Sequence, residues 1–194
     1  QDDFLARSEF TDPEILRTSL ASVILQMKSL RLGRIEEFPF IEPPEPRLIR
    51  DGYETLRELG AVDEGDELTP LGRDLARLPI DVRVGRMILA GVQRGCLAEM
   101  LVIASFLSVQ DPRERPIDAQ QAADEQHARF RNPESDYLGI LSLWNFYRDQ
   151  KRHLSHSKLR ALCRASFLSY VRLREWENVH HQLAELGGSM GWHA

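Results

Sequence analysis

The stretch at about 97–108 most constrains what this chain can fold into. Leu97, Met100, Leu101, Ile103, Ala104, Phe106 and Leu107 wrap most of a helical circumference, so a helix here has no face to offer water. Such a helix belongs at the centre of a bundle, and the surrounding sequence must supply the layer that covers it. Helical patterns at about 82–94 (Val84, Met87, Ile88, Val92, with Gly95 as the stop), 118–130, 135–149, 157–172 and 175–187 do so. Asn132-Pro133 and His153–Ser157 punctuate them, and no internal repeat or low-complexity segment intervenes. The second half is therefore predicted to be a helical bundle.

The first half reads differently. Asp12, Pro13 and Glu14 are an N-cap, a first-turn proline and a dipole-complementing acid. Ile15, Leu16, Leu20, Val23, Ile24, Met27 and Leu30 follow at three- and four-residue steps up to Gly33, which predicts an amphipathic helix. The prolines of Phe38–Pro44 forbid a helix, and its aromatics are expected to pin an extended linker onto the core. A second helix fits 46–59, with Gly60 as its stop. Ala61–Leu68 carries a short β-hairpin pattern around Gly65, and Thr69-Pro70 opens another helix. Helix, helix and small hairpin outline a winged-helix domain. The fold class is thus mainly α: a winged-helix domain with a small hairpin, then a helical bundle.

Charge separates the halves. The 194 residues carry a formal net charge of −5, which taken evenly argues against a nucleic-acid partner. Residues 1–81 hold 18 acidic and 10 basic side chains, a net of −8, whereas 82–194 hold 12 and 15, a net of +3. Within 127–174 there are 10 basic and 3 acidic residues, a net of +7, and 22 of the 25 basic residues of the chain are Arg. Arginine's planar fork suits phosphate, although blocks of one sign are often a solvated face. The predicted wing is acidic (Asp63, Glu64, Asp66, Glu67), unlike one that grips DNA. This domain is accordingly read as a connector packed on protein.

Chemistry-bearing motifs are missing. The sequence has no Gly-x-x-x-x-Gly-Lys-Ser/Thr phosphate loop, no Gly-x-Gly-x-x-Gly, no Cys-x-x-Cys and no His-Glu-x-x-His, so neither a nucleotide nor a metal site is expected. His180 and His181 would point about 100° apart on a helix. His153 and His156 could share a face but lack a third ligand. Cys163 sits on an apolar face and reads as a small core residue. The two cysteines imply a reducing compartment. No stretch approaches the roughly 18 apolar residues of a membrane span, so a cytoplasmic setting is expected. The segment does not read as a self-contained enzyme, with no catalytic residue to nominate.

Several long stretches together resemble one family. Phe10–Leu30, Phe38–Pro44, Leu68–Arg73, Leu107–Pro116 and Cys163–Tyr170 are similar, in that order, to the winged-helix and ratchet-like helicase-associated region of DEAH-box ATP-dependent RNA helicases. Gln110–Pro116 and Arg174-Glu175-Trp176 most resemble the bacterial HrpA type. The resemblance covers about residues 4–186. It implies that 1–10 are the tail of a preceding motor domain, 11–79 the winged helix and 80–194 the ratchet-like bundle. The chain's start without Met fits a piece of something longer. ATP and Mg are then cofactors of the parent's RecA-like motor, with none expected in this fragment.

The same resemblance places the loop after the central helix beside a channel for single-stranded RNA, which nominates Ser108, Gln110, Arg113 and Arg115. The basic region adds Arg129, Arg131, Arg148, Lys151, Arg152, Lys158 and Arg160 as weaker candidates. Pairing of Arg113 and Arg115 with Asp111, Glu114 or Asp118 is the plain alternative. Trp144, Phe146 and Tyr147 are interleaved there, as core residues or stacking surfaces. Expected partners are single-stranded RNA, held weakly by the fragment alone, and the motor domains and OB-fold of the same parent, with no membrane. Two other readings stand beside this one. One is a winged-helix DNA-binding regulator, disfavoured by the balanced charge of 47–59; the other is a helical protein-interaction scaffold.

Overall fold

The computed structural model describes residues 19–192. The chain divides into two compact units, residues 1–83 and 84–194. Among the described residues there are nine α-helices and no extended strand, a mainly α fold. The cap at Asp12 and the first part of the opening helix lie outside the described residues.

In the first unit, α1 (Leu20–Ser29) packs against α2 (Pro46–Glu58). Ala21, Ile24, Leu25 and Met27 of α1 and Ile49 and Leu56 of α2 are buried, and each large aliphatic contributes about 1.5–3 kcal/mol by leaving water. The intervening linker holds on differently from expectation. Phe38 and Phe40 meet each other at a tilt of 50°, ring centroids 4.7 Å apart, and Phe38 stays exposed. Ile35, within a single 3-10 turn at Ile35–Glu37, and Pro44 are the buried residues instead.

The hairpin is smaller than its pattern suggested. It comes down to one antiparallel bridge, Val62 with Leu68. Two backbone bonds cross it, Asp63 N–H to the Glu67 carbonyl at 3.0 Å and Thr69 N–H to the Ala61 carbonyl at 3.1 Å, and the Asp63 side chain accepts from the N–H groups of Gly65 and Glu67 at 2.9 Å each, so side-chain bonds hold the turn that joins them. Helix α3 (Pro70–Leu75) then begins as the sequence dictated: the Thr69 hydroxyl accepts from the Gly72 N–H at 3.0 Å. A Cβ on Gly72 would stand 1.9 Å from the Ala61 carbonyl oxygen, so only glycine lets α3 approach the hairpin this closely.

Helix α4 (Val82–Arg94) leads into the second unit and ends at Gly95, whose φ of +70° is the left-handed turn that glycine adopts freely. Helix α5 (Leu97–Leu107) is the central helix: Leu97 and every residue from Leu101 to Phe106 are buried. A short 3-10 turn (Ile117–Ala119) and α6 (Gln120–Ala128) follow. Helix α7 (Asp136–His153) packs on α5, as does α9 (Tyr170–Ser189), and α8 (His156–Ala165) closes the bundle. Trp176 of α9 is fully buried, and its indole N–H donates to the Val102 carbonyl and the Ser105 hydroxyl of α5, both at 3.0 Å. Its ring meets Phe106 edge-on at 5.1 Å and Trp144 at 4.8 Å. Trp144, Tyr147 and Cys163 are part of this core.

Two boundaries differ from the sequence pattern. Helix α7 runs to His153, and the break falls at Leu154-Ser155. His153 and His156 therefore lie on different helices and share no face. His153 sits 3.5 Å from Asp149, while His156 contacts Tyr170. The helix expected over 157–172 stops at Ala165, and α9 begins at Tyr170. The break at 166–169 has neither Gly nor Pro to announce it. Phe167 takes φ +52°, and tertiary bonds from the loop after α5 hold it there.

Candidate nucleic-acid interface

Helix α5 ends at Leu107, and its exit is the nominated loop. The Ser108 hydroxyl donates to the Ala104 carbonyl at 2.8 Å, closing the last turn rather than pointing a free donor outward. Gln110 is exposed. The loop is then laced to the 166–169 break. Ser169 N–H donates to the Pro112 carbonyl at 2.7 Å, Glu114 N–H donates to the Phe167 carbonyl at 2.8 Å, and Arg113 bridges Leu168 in antiparallel fashion. Pro112 is buried beneath. The two stretches that most resembled the family in the bundle, 107–116 and 163–170, thus form one structure.

Both loop arginines are paired. Arg113 forks onto Asp111, its Nη2 at 2.6 Å from Oδ2, and its guanidinium lies 5.7 Å above the Phe106 ring. Burial pushes the Asp111 carboxyl up, but the side-chain and backbone hydrogen bonds of Arg113 outweigh that and hold it below the usual range. Arg172 donates to the Asp111 carbonyl oxygen at 3.1 Å. Arg115 forks onto Asp124 of α6, Nη2 to Oδ2 at 2.7 Å. Asp111 is among the partners the sequence predicts; Asp124 is not, because it lies nine residues on, across the 3-10 turn. Both pairs are solvent-accessible, and ion pairs so exposed contribute little to the fold.

The remaining cations fall into two groups. Arg129 and Arg148 are laid on aromatics. Arg129 stands 4.7 Å from the Phe130 centroid and 4.4 Å from that of Phe146, and those two rings are 5.3 Å apart. Burial against the rings lowers the Arg129 guanidinium from its ordinary pKa. Arg148 stands 5.5 Å over Trp144. Lys151 is committed to the fold, its Nζ 2.5 Å from the buried Glu177 carboxylate, which also accepts from the Tyr147 hydroxyl at 3.4 Å. Arg131, Arg152 and Lys158 are exposed, and none is ion-paired among the described residues.

The arrangement can therefore do one kind of chemistry. It presents arginine forks on a rigid loop and on aromatic supports, which suits a polyanion contacted through its backbone. Trp144 and Tyr147 are buried and cannot stack on a base; Phe146, half-buried, carries Arg129. Among the described residues no group of three His, Cys, Asp or Glu side chains comes together to hold a metal ion, and no helix is long and apolar enough to cross a membrane. Sequence reading missed the grouping of Arg160, Arg174 and Tyr170. The Arg160–Arg174 separation spans a helix break that carries no local signal.

Comparison with known proteins agrees with this architecture. Residues 53–80 match the helicase-associated (HA2) winged-helix domain, and residues 81–169 match the ratchet-like helicase-associated (HA2) domain. The chain is 52% identical over 98% of its length to the ATP-dependent RNA helicase HrpA of Escherichia coli. It is 50% identical over 94% to the HrpA homolog of Haemophilus influenzae, and 34% identical over 93% to a DExH-box ATP-dependent RNA helicase of Arabidopsis thaliana. It spans 15% of the length of each of these relatives. The chain belongs to the helicase-associated domain family of DEAH-box RNA helicases, carrying both its winged-helix and its ratchet-like parts.

Proposed function

We propose that this chain is a non-catalytic module of a DEAH-box ATP-dependent RNA helicase, which contacts single-stranded RNA and braces the motor domains during translocation. The observation that carries this reading is the loop 108–116, fixed to the α8–α9 break by two backbone hydrogen bonds while offering Arg113 and Arg115 in solvent-accessible pairs. A strand moved by a motor needs an unmoving wall to slide against, and a laced loop is stiffer than a free one. Arg129, Arg131, Arg148, Arg152 and Lys158 extend the positive face; Lys151 serves mainly to neutralise Glu177. In the same reading residues 11–79 are the winged-helix domain, 80–194 the ratchet-like bundle, and the setting is cytoplasmic.

ATP and Mg do not fit the residues present. The sequence has no phosphate loop, and no acidic cluster among the described residues would hold a divalent ion. We therefore assign that chemistry to the RecA-like motor of the longer protein and derive no step through it.

The reading is tested with labelled oligouridylate and the purified chain, by fluorescence anisotropy at two salt concentrations. The expected result is weak binding that falls steeply with salt. In the whole helicase, Arg113→Glu with Arg115→Glu should lower RNA-stimulated ATP hydrolysis at least tenfold, because each reversal repels a phosphate. Salt-independent or absent binding, together with full stimulation in the double variant, would leave the chain as a protein scaffold.

A further inference from the structure

Two arginines left over by the ion-pair map converge on one depression. Arg160 of α8 and Arg174 of α9 line a cavity of about 300 Å³ with Tyr170, Val171, Glu175 and Asn178. Neither arginine is paired with a carboxylate among the described residues. Tyr170, Arg174 and Asn178 follow at four-residue steps on α9 and so share a face. Arg160 stands 5.2 Å over the Tyr170 ring. The ring itself is fixed at its tip, where the hydroxyl and His156 Nε2 are 2.6 Å apart, and at its side, where the imidazole meets it edge-on.

The lining has a definite chemistry. Two guanidinium forks and one amide face a single carboxylate, Glu175. A guanidinium supported on a ring keeps its N–H donors for a ligand and loses little rotamer freedom on binding. Val171, 73% exposed, supplies an apolar step beside them. One lining residue adjoins the anchor of the loop described above: Tyr170 follows Ser169, whose N–H donates to the Pro112 carbonyl at 2.7 Å.

We propose that this cavity is a nucleotide subsite on the strand's path. It would take one backbone phosphate between Arg160 and Arg174, with the attached nucleoside against Val171 and within reach of the Asn178 amide. The proposal rests on the RNA-contacting reading of the neighbouring loop and adds a place where a single nucleotide is held.

The whole 194-residue chain serves for the test, by amide and arginine-side-chain NMR with uridine 5′-monophosphate, uridine or inorganic phosphate as probe. Uridine 5′-monophosphate should shift Tyr170, Arg174, Asn178 and the Arg160 side chain, and uridine should not. Arg160→Ala with Arg174→Ala should lower oligouridylate affinity about tenfold and flatten the salt slope by about 1–2, with an unchanged melting curve. Shifts elsewhere or nowhere overturn the proposal, and equal shifts and affinity with inorganic phosphate overturn the nucleotide assignment. If Arg113→Glu with Arg115→Glu abolishes RNA binding while the cavity variant binds as the parent does, the subsite falls and the loop reading stands. If oligouridylate fails to bind the unaltered chain, the loop reading falls, and the nucleotide titration decides the cavity alone.

Discussion

The imidazole Nε2 of His127 lies 3.0 Å from the carbonyl oxygen of Phe167, 40 residues along the chain. The same oxygen accepts the Glu114 N–H at 2.8 Å. One carbonyl thus gathers α6, the loop after α5 and the break between α8 and α9. Phe167 holds φ +52°, a conformation costing a side-chain-bearing residue roughly 1–3 kcal/mol. The surrounding bonds must supply that. His127→Ala should therefore destabilise the bundle by about 1–2 kcal/mol and speed hydrogen exchange at the Glu114 and Ser169 amides before the rest. Exchange that is unchanged at those two amides would mean the loop is held without His127.

How much of this was legible follows from which residues speak locally. The cap at Thr69, the stop at Gly95 and the all-round apolar surface of about 97–108 are local facts, and the structure has a capped helix start, a helix end and the central helix Leu97–Leu107 there. The break at 166–169 is not local. Ser166, Phe167 and Leu168 have no intrinsic reason to leave a helix; the bonds to Pro112 and Glu114 make them do so. The hairpin erred the other way, since alternation promised strands but Asp63 took the turn's N–H groups for its carboxylate. At the candidate interface the residue types were readable and their engagements were not. Lys151 and Arg152 look equivalent in sequence, yet only Lys151 reaches across to Glu177, 26 positions away.

That difference has a measurable consequence. Glu177 is buried, and Lys151 is its charge partner while remaining half-exposed itself. Removing the ammonium leaves a carboxylate in the core with the Tyr147 hydroxyl alone beside it. Lys151→Met should cost about 1–3 kcal/mol, less than a fully buried pair because water reaches the lysine. Arg152→Met, on the exposed face, should stay within about 0.5 kcal/mol. Urea unfolding of the two variants separates them, and equal midpoints would mean that Glu177 does not need its partner.

His180 links stability to pH. Its ring packs against Trp144 at 4.7 Å, and its Nδ1 is buried without a hydrogen-bond partner. Burial first, then the neighbouring His181 and Arg148, lower its pKa from the usual 6.5 to about 4. The folded state therefore keeps the ring neutral where the unfolded state already binds a proton. Stability is full above pH 6.5 and falls as pH drops from 6.5 toward 4, by about 1–2 kcal/mol once the ring's partial exposure is allowed for. His180→Phe should remove that part of the pH dependence, as followed by thermal unfolding between pH 4 and 7. An identical pH profile in the variant would assign the dependence to other groups.

Arg129 separates charge from shape. Its guanidinium rests on Phe130 and Phe146, a placement that a lysine ammonium cannot reproduce, since it offers a point charge and no flat face. Arg129→Lys keeps the electrostatic attraction for a polyanion but releases the side chain from its support. The fold should notice little, within about 1 kcal/mol, because cation–π contacts at exposed sites contribute roughly 0.5–1 kcal/mol. RNA affinity should fall about two- to fivefold at unchanged salt slope, since the number of neutralised phosphates is the same and the donor is less ordered before binding. Arg129→Ala should lower both affinity and slope. Equal affinity for the lysine variant and the parent would mean that Arg129 acts by charge alone and that its aromatic seat serves only the packing of Phe130 on Phe146.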